Sequence, residues 1–389
     1  MKIATVTWLT YNNYGTQLQA YALQKFLTIN GHENEILDDN DILQEQWRAK
    51  GNSSHHVTSS KEACILRLVK KPFRYIKWQI WKQRVKPYTE SQRKINDFKR
   101  ECLVVNTKVN ARNLACLNNR YDLFICGSDQ IWSPLDLNLN GYYYLNFVSK
   151  KKIAYAPSLG MKEIPEKKTK LIQNWLKSFD SISVREKQNV EQISAIYGNK
   201  VFFVSDPTLL LNTEQWTSFC KDGMKIRKKY ILCYFLEDKN WYFEYAMQTA
   251  KKYDLSLVLI PNRAEHTRRR ICIRKSVSPI DFVSLFMNAS IVITDSYHGS
   301  IFSVLFQKDF YYLKRFNEEI TESQNVRIAS LFETLGLYDR IIEEGKTTSG
   351  AHNIIDYESV GKKLEAFRAQ SSAYLLKNLN TNKKESVCL

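Results

Sequence analysis

The sequence predicts an α/β protein of two doubly wound domains, each a parallel sheet with helices on both faces. Short, fully apolar runs alternate with amphipathic helical segments along most of the 389 residues, which is the pattern of parallel sheets. A chain of this length is too long for one hydrophobic core and suits two domains. Several apolar runs end abruptly in small or polar residues, as strands do where a ligand-binding turn follows.

The first βαβ unit lies at the amino terminus. Residues 3–8 are the first predicted buried strand, and a turn at 12–16 leads into a helix over 17–29. Gly31 stands where glycine commonly ends a helix, and a second strand begins at Glu35. A strand, a helix and a further strand in this order predict a doubly wound domain.

A polar stretch, 38–60, is predicted to be a loop, and a basic insert follows at 61–100. The insert holds 13 Lys or Arg and three Asp or Glu, so it supplies well over half of the net charge of +17. We expect one or two helices, interrupted at Pro72 and Pro87. A helical insertion packed on the protein is favoured, and the alternative is a basic, aromatic surface against an anionic membrane.

The remaining elements repeat the same rhythm. In the first domain, residues 1–224, we predict further strands at 122–126, 152–156, 181–184 and 201–204 and a helix at about 165–178. In the second, residues 225–350, we predict strands at 230–236, 256–260, 290–294 and 311–313 and helices near 240–252 and 279–289. Within 351–389 a closing helix is expected to cross back to the first domain before a frayed polar tail.

Composition narrows the class of protein. Hydrophobic residues make up 44% and charged residues 25% of the chain, as in soluble globular proteins. No secretory signal or membrane span is visible, and the eight cysteines form no C-x-x-C pair, so we expect a cytoplasmic protein with reduced thiols. The six histidines lack metal-ligand spacing, so neither a metal nor another cofactor is expected. The positive charge favours an anionic partner, but no nucleic-acid motif is present.

The strongest functional signal is the turn after the strand at 290–294. Asp295, Ser296, His298 and Gly299 follow within five residues, and a helical pattern then resumes. A helix N-terminus offers unpaired amides and the positive end of its dipole, so it favours an anion there. The alternative is a plain helix cap, with Asp295 or Ser296 as the capping residue.

Other strand ends carry polar signatures too, although Walker, G-x-G-x-x-G and G-x-S-x-G motifs are all absent. Arg185 follows a predicted strand and can clamp a carboxylate or phosphate through its two-pronged guanidinium, or else pair with Glu186 or another acid between domains. Asp129 can accept a hydrogen bond from a sugar hydroxyl or cap the next turn. Arg327 begins another helical segment as a second anion clamp or as a surface residue.

Together these segments resemble the polysaccharide pyruvyl transferase family. The resemblance covers roughly residues 1–345 apart from the basic insert, and it rests on six segments: Tyr11-Asn12-Asn13-Tyr14-Gly15, Gly127-Ser128-Asp129-Gln130-Ile131-Trp132, Ser183-Val184-Arg185-Glu186, Asp206-Pro207-Thr208, Asp295-Ser296-Tyr297-His298-Gly299-Ser300 and Asn325-x-Arg327-Ile328. Tyr297 is a mild departure, because phenylalanine is common at this position in the family.

The resemblance implies two Rossmann-like domains facing across a cleft, as in the GT-B glycosyltransferases. It also implies transfer of the pyruvyl carbon skeleton of phosphoenolpyruvate to two hydroxyls of a sugar in a surface or capsular polysaccharide precursor, which gives a pyruvate ketal and phosphate. The phosphate and carboxylate of this donor need a positive pocket. Protonation of its methylene carbon needs a general acid that titrates near neutrality, which suits histidine.

Site residues follow from the same resemblance. His298 is expected to be the acid or a donor-phosphate ligand, and Asp129 to orient or deprotonate an acceptor hydroxyl. The substrate-binding candidates are Asn13, Gly15, Arg185, Ser296, Gly299, Ser300 and Arg327. The expected partners are phosphoenolpyruvate and a saccharide, and a basic surface suits a lipid-linked saccharide at the inner face of the membrane. The alternative function is a GT-B glycosyltransferase that uses a nucleotide sugar.

Overall fold

Two all-parallel, six-stranded sheets form the framework of the protein. The structure is a computed structural model, and it describes residues 1–49, 71–135, 139–269, 273–316, 325–345 and 354–380. Each sheet is covered by helices on both faces, so the predicted fold class, two Rossmann-like domains facing across a cleft, is confirmed.

The first sheet has the strand order β2-β1-β3-β4-β5-β6. Its strands are β1 Lys2–Val6, β2 Glu33–Ile36, β3 Leu123–Asp129, β4 Lys151–Pro157, β5 Ser181–Val184 and β6 Val201–Phe203. In register, Ile3 of β1 pairs with Asn34 on one side and with Leu123 on the other. The next two strands in the chain, β2 and β3, lie on opposite sides of β1. This reversal of strand order opens a crevice at the carboxyl ends of β1 and β3.

Six helices accompany the first sheet: α1 Tyr14–Ile29, α2 Asn40–Ala49, α3 Lys71–Cys102, α4 Glu166–Leu176, α5 Val190–Tyr197 and α6 Thr213–Phe219. Helix α1 begins three residues earlier than predicted, because Asn13 caps it. The loop prediction for 38–60 is wrong over α2. There the Asp38 carboxylate accepts a hydrogen bond from the amide of Asn40 at 3.1 Å, and Ile42 is buried.

The described part of the basic insert is one continuous helix, α3, so the predicted interruption at Pro87 is wrong. The helix runs through Pro87 without a break, and the carbonyl of Pro87 accepts a hydrogen bond from the Ser91 hydroxyl at 2.8 Å. Ile95 packs in a core that also contains side chains of the second half, and Lys94 Nζ donates to the carbonyl of Ser276 at 3.0 Å. The helix therefore joins both halves, while residues 61–70 lie outside the described ranges.

The second sheet has the order β12-β11-β10-β7-β8-β9 and reverses between β10 and β7. Its strands are β7 Tyr230–Tyr234, β8 Ser256–Leu259, β9 Ile273–Arg274, β10 Ile291–Thr294, β11 Asp309–Leu313 and β12 Ile341–Ile342. The helices that come after β7 in the chain are α7 Asn240–Tyr253, α8 Pro279–Asn288, α9 Tyr297–Leu305, α10 Asn325–Leu335 and α11 Tyr357–Asn380. Strands β9 and β12 have two residues each and were not predicted, since so short a run carries no periodicity.

Helix α11 crosses from the second half to the first. Leu364 near its start packs in the core shared with the second sheet, and Leu375 near its end packs in a core with Ile3. Tyr374 Oη donates to the carbonyl of Ala154 at 3.0 Å. The helix continues to Asn380, and the tail beyond it, 381–389, lies outside the described residues.

Helix α1 lies where the two halves meet. Tyr14 stacks on Phe282 of α8 with ring centroids 4.7 Å apart, and its hydroxyl donates to the carbonyl of Val277 at 3.0 Å. This contact brings the N-terminus of α1 to the carboxyl edge of the second sheet. Among the helices that the structure describes, none is long and apolar enough to cross a bilayer.

Candidate active site

The turn between β10 and α9 is a helix N-terminus capped by Ser296. Its hydroxyl accepts a hydrogen bond from the amide of Gly299 at 3.3 Å, and its carbonyl accepts one from the amide of Ser300 at 3.0 Å. The amides of Gly299 and Ser300, two of the substrate-binding candidates, are therefore already engaged. The preceding amides, those of Tyr297 and His298, make no hydrogen bond with a described residue, so the donors left without a partner lie at the very start of the helix.

Asp295 does not cap the helix, so that interpretation is wrong. Its two carboxylate oxygens accept hydrogen bonds from the amides of Leu236 and Glu237, at 2.6 and 3.0 Å, just after β7. Arg315 Nε lies 3.7 Å from the same carboxylate. Burial raises the pKa of Asp295 to about 6, although Arg315 opposes this. Asp295 thus ties the ends of β7 and β10 together.

His298 points from α9 toward the first half of the protein and is only 6% exposed. Its Nε2 lies 3.4 Å from Oδ2 of Asp206, which follows β6. Asp206 also accepts hydrogen bonds from the amide and hydroxyl of Thr208, at 2.9 and 2.6 Å. Burial alone would raise the pKa of Asp206, but the charges of His298 and Arg185 outweigh it and hold the pKa well below its usual range.

Gly15 is in contact with the other side of the His298 ring. A Cβ on Gly15 would lie 2.0 Å from His298 Nδ1, so only glycine fits here. Asn13 caps α1 by accepting a hydrogen bond from the Gly15 amide at 2.9 Å. The N-termini of α1 and α9 therefore meet at the imidazole, and both helix dipoles direct their positive ends at this point.

Arg185 is fully buried at the end of β5. Its Nη1 donates to Asp206 at 2.5 Å, and its Nη2 lies 3.5 Å from the carboxylate of Asp129. Nε and Nη2 have no hydrogen-bond partner among the described residues. The alternative interpretation of Arg185, an ion pair between the domains, is not seen among the described residues. Both acids belong to the same half as Arg185, and Glu186 accepts a hydrogen bond from the Ser158 hydroxyl. Buried N–H groups without partners are costly, so they call for an anionic ligand.

Asp129 ends β3 with a left-handed backbone, φ 68°. One carboxylate oxygen caps the next turn through the amide of Gln130 at 2.9 Å, and the other accepts a hydrogen bond from the Thr16 hydroxyl at 2.6 Å. Burial would raise the pKa of Asp129, but Arg185 and then His298 hold it below its usual value. The carboxylate is therefore ionised at neutral pH, which suits it to orient a hydroxyl.

Both arginines of the site lie against the ring of Tyr297. The guanidinium carbon of Arg185 lies 4.7 Å from the centre of its ring and that of Arg327 lies 5.9 Å away. Burial, followed by the charge of Arg185, lowers the pKa of Arg327 to about 10, so both arginines are cationic at neutral pH. Two cations that repel each other at close range gain stability from an anion bound between them.

The structure brings most of the predicted site residues to one cleft, at the carboxyl edges of both sheets. Four further residues of this cleft have site roles that the sequence alone did not assign: Thr16, Asp206, Tyr297 and Arg315. Asp206 and Tyr297 stood inside segments that carried the resemblance, whereas Thr16 and Arg315 gave no signal of their own. Among the described residues no His, Cys, Asp and Glu cluster could hold a metal ion.

Comparisons with known proteins identify the family of this chain. The sequence profile of the polysaccharide pyruvyl transferase family matches residues 13–315, and no curated protein matches the chain. Among solved structures, UDP-GlcNAc 2-epimerase from Neisseria meningitidis is similar, with 12% identity, a TM-score of 0.45 and coverage of 97% of this chain and 99% of its own. ADP-heptose LPS heptosyltransferase II from E. coli has 11% identity, a TM-score of 0.37 and coverage of 95% and 99%.

The structural neighbours are too distant to indicate a reaction. The profile match is of another kind, because it spans most of the chain and contains the segments that carry His298, Arg185 and Asp129. The chain therefore belongs to the polysaccharide pyruvyl transferase family and is a transferase.

Proposed function

We propose that the protein transfers the pyruvyl group of phosphoenolpyruvate to two hydroxyls of one sugar in a surface polysaccharide precursor. The observation that carries this proposal is Arg185, which is fully buried, shares the Asp206 carboxylate with His298, and has Nε and Nη2 without a hydrogen-bond partner among the described residues. A donor with a phosphate and a carboxylate fits a cleft that offers two arginines and two helix N-termini.

His298 is the proposed general acid. Because its Nε2 faces Asp206, Nδ1 beside Gly15 is the nitrogen left to meet a ligand. The Asp206 carboxylate, 3.4 Å from Nε2, fixes the orientation of the ring. His298 then gives its proton to the methylene carbon of the donor, and the neighbouring carbon becomes electrophilic.

Two additions complete the proposed reaction. The first sugar hydroxyl attacks the electrophilic carbon and returns a proton to His298, while Asp129 orients the sugar. The bond from this carbon to the phosphate oxygen then breaks, and the second hydroxyl attacks and passes its proton to the departing phosphate. One hydroxyl proton thus ends on the new methyl group and the other on phosphate, so the products are a ketal and inorganic phosphate.

Arg185 and Arg327 hold the anionic groups of the donor, and the amides of Tyr297 and His298 receive the phosphate. Ser296, Gly299 and Ser300 shape this turn, and Asn13 shapes the facing one. For the cellular setting we propose the cytoplasm, with a saccharide that is free or linked to lipid at the inner membrane face. The basic insert is proposed to help in the second case, through attraction to anionic lipid.

The test is release of inorganic phosphate from phosphoenolpyruvate in the presence of a panel of saccharides, with mass analysis of the products. His298→Ala is expected to reduce turnover about 10²- to 10⁴-fold, the usual contribution of a positioned acid. His32→Ala is the matched control, since His32 lies beyond the far end of α1. Full phosphate release by His298→Ala contradicts the assignment. Sugar transfer from UDP-glucose or UDP-N-acetylglucosamine by the unmodified protein contradicts the proposed reaction.

A further inference from the structure

The segment between β1 and α1 carries two aromatic rings at the carboxyl edge of the first sheet. Tyr11 is 58% exposed, and Trp8 is half-buried against the core of the first half. The ring centroids are 5.9 Å apart and the planes are inclined by 59°. An exposed tyrosine ring beside a half-buried tryptophan ring is an open apolar contact surface.

The backbone that carries these rings is fixed by hydrogen bonds. The carbonyl of Tyr11 accepts bonds from the amide of Asn13 at 2.9 Å and from the side chain of Gln17 at 3.0 Å. Lys99 of α3 donates to the carbonyl of Leu9 at 2.9 Å and to the side chain of Asn12 at 2.7 Å. A ligand that stacks on Tyr11 therefore meets a preformed surface, and little entropy is lost in ordering this segment.

Both ends of this segment contact residues of the candidate site or their neighbours. The Thr7 hydroxyl, one residue before Trp8, donates to the carbonyl of Ser128 at 3.2 Å, next to Asp129. At the other end, Gly15 lies against His298. The rings therefore lie beside the groups that we assign to the acceptor hydroxyls.

From these observations, and resting on the proposed function, we propose that Trp8 and Tyr11 form a platform on which one sugar ring of the acceptor stacks. One face of a pyranose presents C–H groups, which suit the electron-rich face of an aromatic ring. Its hydroxyls remain at the ring edge, where Asn12 and Asp129 can meet them. A protein partner is a poorer fit, because a stable protein interface buries on the order of 1,200 Å² or more and this surface is two rings.

The experiment uses the full-length protein with phosphoenolpyruvate and the methyl glycosides of glucose, galactose, mannose, N-acetylglucosamine and N-acetylmannosamine. Saturation-transfer NMR is expected to show contact with the C–H groups of one sugar face in the unmodified protein. In Tyr11→Ala this contact disappears, and the KM for the acceptor rises about tenfold or more, as for a lost aromatic contact at a binding centre. The KM for phosphoenolpyruvate stays the same, because the platform does not touch the donor.

Two control variants accompany this comparison. Tyr11→Phe keeps the ring and is expected to keep the contact, whereas Tyr253→Ala removes an exposed tyrosine at the end of α7, on the far edge of the second sheet. An unchanged acceptor KM in Tyr11→Ala overturns the platform while leaving the proposed function intact. So does a lack of saturation transfer to all five glycosides by the unmodified protein. Failure of that protein to release phosphate with any saccharide counts against the proposed function itself.

Discussion

Asp206 and Asp295 both follow a strand at the carboxyl edge of a parallel sheet, one in each half of the protein, yet their surroundings are opposite. Asp206 faces cations, with Arg185 Nη1 at 2.5 Å and His298 Nε2 at 3.4 Å. Asp295 faces the backbone of its own sheet and accepts two amide hydrogen bonds. The pKa of Asp206 is lowered by its cationic neighbours, whereas that of Asp295 is raised to about 6 by burial.

This difference suits Asp206 to a chemical role and Asp295 to a structural one. The first half contributes carboxylates that hold the cations of the cleft in place. The second half contributes a histidine on a helix N-terminus, and its own carboxylate fixes the turn from which that helix starts. In the proposed function, two sheets of the same architecture thus present complementary groups to one ligand, and neither half alone carries the whole proposed site.

The largest expected effect comes from a substitution that disrupts the contact between the carboxyl edges of the two sheets. Gly15→Ala places a methyl group where His298 Nδ1 lies 2.0 Å away, so the imidazole must leave its present position. We expect phosphate release to fall about 100-fold or more, since a displacement of about 1 Å has that effect on a positioned group. Steady-state assays of both proteins measure it.

Gly361→Ala is the matched control, since a Cβ at this position of α11 would meet nothing within 4 Å. Alanine is preferred to glycine within a helix by about 0.5–1 kcal/mol, so this variant should unfold at slightly higher temperature with full activity. A Gly15→Ala protein that matched it in activity would contradict the close meeting of the two edges.

An intermediate effect should appear in the pH dependence of stability. The lowered pKa of Asp206 adds stability that is present at neutral pH and is lost as the pH falls through the acidic range, so Asp206→Asn should cost most at neutral pH. The raised pKa of Asp295 has the opposite sign, because the unfolded chain releases this proton first as the pH rises from 3.8 to about 6. The cost of Asp295→Asn should therefore shrink as the pH rises.

Urea unfolding of both variants and the unmodified protein, at about pH 4 and at neutral pH, measures these costs, which we expect to be of the order of 1–3 kcal/mol. The unmodified protein serves as the reference at each pH, so titrations elsewhere cancel. Equal pH dependence in the two variants would remove the distinction between these carboxylates.

The smallest effect is expected for Tyr297→Phe. The ring that contacts both Arg185 and Arg327 is retained, and a cation–π contact needs the ring face and not the hydroxyl. Activity should stay within about twofold and stability within about 1 kcal/mol. Tyr297→Leu removes the ring and is the contrast in the same assays. If Tyr297→Phe loses as much activity or stability as Tyr297→Leu, the hydroxyl has a role of its own.

Much of the fold could be predicted because buried parallel strands are short apolar runs with distinctive ends. The strand at 181–184 was predicted at the residues that β5 occupies. Helix α3 was harder, because the penalty of a proline inside a helix is local and packing of Ile95 and Phe98 outweighs it. Helix α2 was missed because its polar residues resemble those of a loop.

The residues of the candidate site also divide into those that the sequence could predict and those that it could not. His298, Arg185 and Asp129 stood at strand ends, where topology alone predicts that side chains converge. The partners Thr16 and Arg315 are fixed by contacts across more than a hundred and about twenty residues of chain, respectively, and a single sequence carries no record of such pairs. The engaged amides of Gly299 and Ser300 likewise depend on which residue caps the helix.

Helix α11 has a consequence for the order in which this protein is made. The core around Ile3, Leu23 and Leu123 is completed by Leu375 and Leu379, from the last described part of the chain. During synthesis that apolar surface of the amino-terminal domain therefore stays uncovered until the second domain and α11 have been made. The half that is made first is thus the half whose core is completed last.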